Sequence, residues 1–106
     1  MPMTEKMYSV YIATNQKNTV LYTGVTSNIY KRKFEHQQGK GSAFTSKYKV
    51  NTIVFVESFR TPLEAIAAEK KIKGWVRKKK IALVEEKNQR WDDLLELEPD
   101  SSLRSE

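Results

Sequence analysis

The sequence predicts an α+β fold, and three observations carry that prediction. Two stretches rich in β-branched and aromatic residues, YSVYIAT and VLYTGV, flank the polar run NQKNT, the pattern of a β-hairpin. A third apolar stretch, TIVFVESF, reads as a buried strand. Between and after these lie segments with helix start and stop signals: Asn28 as N-cap with Gly39 past the end, and the run TPLE at residues 61–64.

In the first strand Ser9, Tyr11 and Ala13 share one face while Val10 and Ile12 take the other; in the second, Val20, Tyr22 and Gly24 share a face. A turn centred on Gln16 and Lys17 sets Tyr11 directly opposite Tyr22, with Cβ atoms about 5 Å apart. A slip of one residue would put them on opposite faces. The helix from near Asn28 to Gly39 projects Arg32 and His36, four apart, from one side. Residues 40–51 read as a polar, Gly/Ser-containing loop with two embedded aromatics, and the third strand follows.

The second helix opens with Thr61 as N-cap, Pro62 at N1 and Glu64 closing a capping box. It aligns Ala65, Ala68, Glu69 and Ile72 on one stripe, an apolar setting for a carboxylate, with Leu63, Ile66 and Ala67 on the adjacent one. Gly74 ends or bends it. A third helix, over about residues 78–87, is expected to bury Ile81 and Val84, and the closing NQRWDDLLEL to pack Trp91 and Leu94. No internal repeat or linker divides the chain, so residues 1–95 form one domain, followed by an acidic tail, 96–106, expected to be disordered.

No cysteine occurs among the 106 residues, which excludes disulfides, thiolate metal sites and cysteine catalysis. The longest apolar run, IVFV, is far short of the roughly 20 residues a membrane helix needs. The N-terminus lacks the apolar core of a signal peptide, which makes the cytoplasm the expected location. The net charge of +6 is unevenly spread: residues 96–106 carry four acids against Arg104, a balance of −3, so residues 1–95 carry +9. From Lys70 to Lys80 seven of eleven residues are Lys or Arg, interleaved with Ile72, Trp75 and Val76. Such an excess on a small domain points to a polyanion, with DNA as the first expectation and RNA not excluded. The expected phosphate contacts are Lys31, Lys70, Lys71, Lys73, Arg77 and Lys78; no protein partner or membrane is called for.

Taken singly, the notable side chains have ordinary explanations. Tyr11 and Tyr22 make a cross-strand aromatic pair, Gly24 a strand-end bend, Arg32 a surface charge and His36 a partly buried helix residue. Glu69 is an i,i+4 partner for Lys73, and Asn88 a helix C-cap. Taken in order they form a pattern: SVY ending at Tyr11, YTG at residues 22–24, Arg32 eight residues later, His36 four after that, and a glutamate on a later helix. This ordered set resembles the GIY-YIG nuclease domain, in its small stand-alone bacterial form. The similarity extends through YTGVTSNIYKRKFEH, AFTSKY, EAIAAEKKIKGW and NQRW, covering about residues 7–95.

The resemblance implies a three-stranded antiparallel sheet flanked by about three helices, and a phosphodiester hydrolase using one divalent metal, Mg²⁺ or Mn²⁺. It implies Glu69 as sole protein ligand of the metal, Arg32 on the scissile phosphate, Tyr11 and Tyr22 positioning or activating water, and His36 assisting proton transfer. Gly24 and Asn88 would support the site. The residue types suit the chemistry. A phosphodiester gains negative charge as it becomes pentavalent, so a cation and a guanidinium must be fixed around it. One carboxylate suffices for Mg²⁺ when phosphate oxygens and waters complete its shell. Tyrosine is a poor base at neutral pH unless nearby cations favour the phenolate.

The sequence also departs from the family pattern. Ser9 and Val10 replace the first triplet's glycine and isoleucine, and Thr23 the second triplet's isoleucine. Val25 and Thr26 stand where many catalytic relatives have a lysine, leaving His36 or a lysine such as Lys31 to move the proton. The five residues Tyr11, Tyr22, Arg32, His36 and Glu69 are expected to meet in one open cleft. They favour an endonuclease acting on DNA in repair, recombination or processing. The alternatives are a catalytically weak nucleic-acid-binding module of the same fold and a protein-interaction domain.

Overall fold

The computed structural model describes residues 7–39 and 43–95; the expected acidic tail, 96–106, lies outside the described residues. Three strands, β1 (Tyr8–Thr14), β2 (Leu21–Thr26) and β3 (Thr52–Phe59), form one antiparallel sheet in the order β2-β1-β3. β1 is central, and its sequence is nearly continuous in apolar residues because both of its faces are covered.

The hairpin register differs from the expected one by two residues. Tyr11 pairs with Gly24, and Ala13 with Tyr22. The cause is the loop. Asn15 Oδ1 accepts from the backbone N–H groups of Thr19 (2.9 Å) and Val20 (3.0 Å), its Nδ2 donates to Thr19 Oγ1, and Asn18 takes a left-handed φ of 57°. These contacts hold a six-residue connection, 15–20, instead of a tight turn on Gln16 and Lys17. A shift of two preserves the face, so Tyr11 and Tyr22 still lie on the same side, now as diagonal neighbours.

Four helices accompany the sheet: α1 (Ile29–Gln37), α2 (Ala43–Lys47), α3 (Pro62–Lys73) and α4 (Arg77–Lys87). Asn28 caps α1 by accepting from Lys31 N at 3.0 Å, and Gly39 follows with φ 73°. α2 sits where a loop was expected, one short turn carrying Phe44. Thr61 caps α3 through Glu64 N and also bonds the Glu64 carboxylate (3.1 Å), and Gly74 ends it.

The two faces of the sheet hold separate cores. Val10 and Ile12 pack with Val54, Phe55, Ala65, Ile72 and Val84 under α3 and α4. A bulge in β3 opposite Ile12 and Ala13 lets the consecutive residues Val54 and Phe55 both join that core. On the other face Tyr11, Ala13, Val50 and Ile53 pack with Tyr22, Ile29 and Leu95 under α1 and the C-terminal segment. Ile81 is half-buried where full burial was expected. Leu94 is exposed; Leu95 packs in its place, because Leu94 N donates to Ile53 O at 2.8 Å and fixes the segment's rotation.

That segment is also pinned by a lysine. Lys33 is fully buried on the inner side of α1, with Nζ donating to Asn51 O and pairing with Asp93 Oδ2 at 2.5 Å. Asp93 Oδ1 accepts from Ile53 N and Leu95 N. One carboxylate thus ties α1, β3 and the segment at residues 93–95 together, the satisfied form a buried charge requires.

Candidate active site

The centre of the Tyr11 face is a triad of rings. Tyr11, fully buried in β1, hydrogen-bonds through its hydroxyl to His36 Nε2 at 3.1 Å. Ring centroids lie 6.2 Å apart for Tyr11–Tyr22, 5.8 Å for Tyr11–His36 and 5.9 Å for Tyr22–His36. Gly24 makes this possible. Tyr11 lies across its cross-strand partner, and a Cβ on Gly24 would come within 2.5 Å of the Tyr11 hydroxyl and 2.6 Å of Cζ. The glycine of YTG is thus a steric requirement of the tyrosine of SVY, not a strand-end bend.

Electrostatics set the protonation states. Burial pushes the Tyr11 phenol up to about 12, against the opposing pull of the nearby Arg32 guanidinium. Burial, then Arg32 and Lys33, push His36 below its ordinary 6.5. At neutral pH the pair is therefore a protonated phenol and a neutral imidazole. The Tyr11 hydroxyl and Nε2 share this hydrogen bond, and the other ring nitrogen, Nδ1, is buried.

Arg32, one turn before His36, stands at the mouth of this arrangement with about a third of its side chain exposed. Its Nε pairs with Glu35 Oε1 at 3.3 Å. Beside it opens a cleft of about 330 Å³ lined by Thr26, Ser27, Asn28, Lys31, Arg32 and Glu35. The expected open cleft is therefore only partly open: Arg32 and half-buried Tyr22 face outward, whereas Tyr11 and His36 are enclosed.

Glu69 lies on α3, whose Ala65 and Ile72 pack on the Val10 face, opposite the face of the ring triad. Its side chain is 13% exposed, and Oε2 pairs with Lys73 Nζ at 3.2 Å. α3 packs against β2, the edge strand that carries Gly24 and Tyr22. Among the described residues no three acidic, His or Cys side chains cluster as a ready-made metal site. A single hard carboxylate does suit Mg²⁺, which takes its remaining ligands from water and phosphate. Lys73, the partner of Glu69, is 60% exposed.

Asn88 is buried and fully engaged: Nδ2 donates to Val54 O (3.0 Å) and Asp92 O (2.9 Å), and Oδ1 accepts from Asp92 N. It holds a turn in which Trp91 adopts a left-handed φ of 59°. Of the basic run, Lys70, Lys71, Lys73 and Lys78 are exposed, as is Lys31 on α1. Arg77 is exposed too but donates to Asn18 O at 2.9 Å, clamping the β1–β2 loop. Sequence reasoning missed Lys33 and Asp93, whose partnership spans 60 residues. It also missed the stacking of Phe44 on Tyr22, with centroids 6.0 Å apart; the signal was two aromatics in an otherwise polar segment.

Residues 7–82 match the family model of the GIY-YIG catalytic domain. This chain is a GIY-YIG protein of the UPF0213 group. UPF0213 protein YazA of Bacillus subtilis is 39% identical over 71 residues, which are 67% of this chain and 72% of YazA. A UPF0213 protein of Staphylococcus haemolyticus is 36% identical over 78 residues, 74% of this chain and 94% of its own length. The solution NMR structure of UPF0213 protein BH0048 from Bacillus halodurans superimposes with a TM-score of 0.53 at 29% identity, covering 82% of this chain and 92% of that one. The match to the GIY-YIG model spans Tyr11, Tyr22, Gly24, Arg32, His36 and Glu69; Asn88 lies beyond it. The family is one of nucleases, so nucleic acid is the substrate class it implies. No described helix of this GIY-YIG protein is long and apolar enough to cross a membrane.

Proposed function

We propose that this protein is a metal-dependent endonuclease that hydrolyses phosphodiester bonds in DNA, with a role in repair, recombination or processing. The observation that carries the reading is the buried Tyr11–His36 hydrogen bond beside an outward-facing arginine. A depressed pKa keeps His36 neutral and able to accept a proton at neutral pH. Tyr11, enclosed and too high to act as a base by itself, orients the His36 imidazole through their hydrogen bond. Tyr22, half-buried, is the phenol that substrate meets first. Arg32 exchanges Glu35 for the scissile phosphate, a charge-assisted pairing that strengthens as the phosphorane gains charge. Glu69, released from Lys73, would hold Mg²⁺ or Mn²⁺, and the ion would supply Lewis-acid stabilisation.

A catalytically weak binding module is the second reading, and one observation favours it: Glu69 rests in an ion pair on the layer opposite the ring triad. Incubating the protein with supercoiled plasmid separates the two. Nicking in Mg²⁺ or Mn²⁺ that EDTA abolishes supports the nuclease; binding without nicking in either metal supports the module.

A further inference from the structure

A ladder of aromatic rings leads out of the buried triad to the surface. Tyr22 stacks on Phe44 of α2 (28° between planes), and Phe44 packs on Tyr48 with centroids 4.8 Å apart. Phe44 is 46% and Tyr48 42% exposed, so both rings offer a face at the surface while remaining packed on each other. Lysines flank the ladder. Lys47 Nζ stands 5.4 Å from the Tyr48 ring centre, and Lys49 follows in a left-handed turn with φ 56°. On its far side Tyr48 borders a cleft of about 470 Å³ that also takes in Lys17, Asn18, Lys49 and Asn51, with no acidic residue in its lining. Exposed rings between lysines, with no carboxylate to repel an anion, are the composition of a base-stacking platform with a phosphate track.

We propose that Phe44 and Tyr48 form a stacking site for unpaired nucleobases, with Lys17, Lys47 and Lys49 on the flanking phosphates, so that this protein engages nucleic acid with single-stranded character. A paired base keeps its faces against its neighbours, so a duplex meets only the lysines, whereas an unpaired base can lie on the rings. The ladder begins at Tyr22, so a strand held this way would deliver its backbone to the Tyr22–Arg32 mouth. The inference rests on the nucleic-acid reading above but needs no cleavage.

The test is fluorescence anisotropy in EDTA, where cutting cannot occur. The probes are a labelled ten-nucleotide oligothymidylate, an abasic strand of equal length, and a duplex, at matched salt. Wild-type protein is expected to bind oligothymidylate roughly tenfold more tightly than the abasic strand. Phe44→Ala and Tyr48→Ala should erase most of that difference while changing duplex binding less than about twofold. Phe44→Leu and Tyr48→Leu, which keep apolar packing at the site, should show the same loss if stacking is the cause. Equal wild-type affinity for base-containing and abasic strands overturns the proposal, as does an undiminished preference in the variants. Failure of nicking in Mg²⁺ with a stacking preference intact would refute the nuclease reading and leave the stacking site standing.

Discussion

The hydroxyl of Tyr11 and Nε2 of His36 are 3.1 Å apart in a buried setting, and Gly24 is the space that the tyrosine ring occupies on its way there. One residue of a strand, its cross-strand neighbour and one residue of a helix are thereby locked into a single geometry.

The His36 imidazole makes stability depend on pH. Its folded value lies below its ordinary 6.5, so the unfolded chain binds the proton more readily. The stability of the neutral form is full above 6.5 and is lost as pH falls through the folded value. Urea melts from about pH 7.5 to about pH 5 should show a decline in the wild type that is clearly smaller in His36→Gln. Equal declines would mean that His36 does not report on this core.

Gly24→Ala should destabilise the fold by about 1–3 kcal/mol, because the Tyr11 ring cannot yield without breaking its bond to His36. On a Tyr11→Ala background the same substitution should cost much less, and that non-additivity in urea midpoints is the diagnostic.

Lys33 and Asp93 make an asymmetric prediction. Asp93→Ala leaves a fully buried ammonium with only Asn51 O and should cost about 3–5 kcal/mol. Lys33→Met leaves a carboxylate with 20% exposure and two backbone donors, and should cost less. Chemical denaturation of the two single variants and the double decides the order.

Much of this architecture was legible from sequence because it depends on local chemistry. Asn28, Gly39, Thr61, Pro62 and Gly74 mark their helix ends as expected. What escaped depended on side chains that act at a distance or on loop geometry. The hairpin register moved by two because Asn15 folds the loop around its own amide, a choice that hairpin statistics do not reveal. Lys33 reads as one more surface cation until Asp93 arrives 60 residues later. The rings of the candidate site were legible as a set, since Tyr11, Tyr22 and His36 do meet. Their burial was not, because it depends on α1 and the C-terminal segment closing over the same face.

The exposed lysines of α3 and α4 should bind phosphate without regard to sequence. Replacing Lys71 and Lys78 with alanine should weaken binding to any duplex and lower the slope of log affinity against log salt by roughly one to two. An unchanged slope would remove that face from the interface.

The most direct test of the nuclease proposal is the plasmid-nicking rate of Glu69→Gln beside wild type, in matched Mg²⁺, with thermal melts confirming that both are folded. Glutamine keeps the size of the side chain and removes the charge, and the pair it forfeits with exposed Lys73 contributes little to stability. The expected result is nicking by the wild type and a loss on the order of 100-fold or more in the variant, with DNA affinity held or slightly raised. Nicking by Glu69→Gln at the wild-type rate would contradict a metal held by Glu69 and return that carboxylate to its ion pair with Lys73.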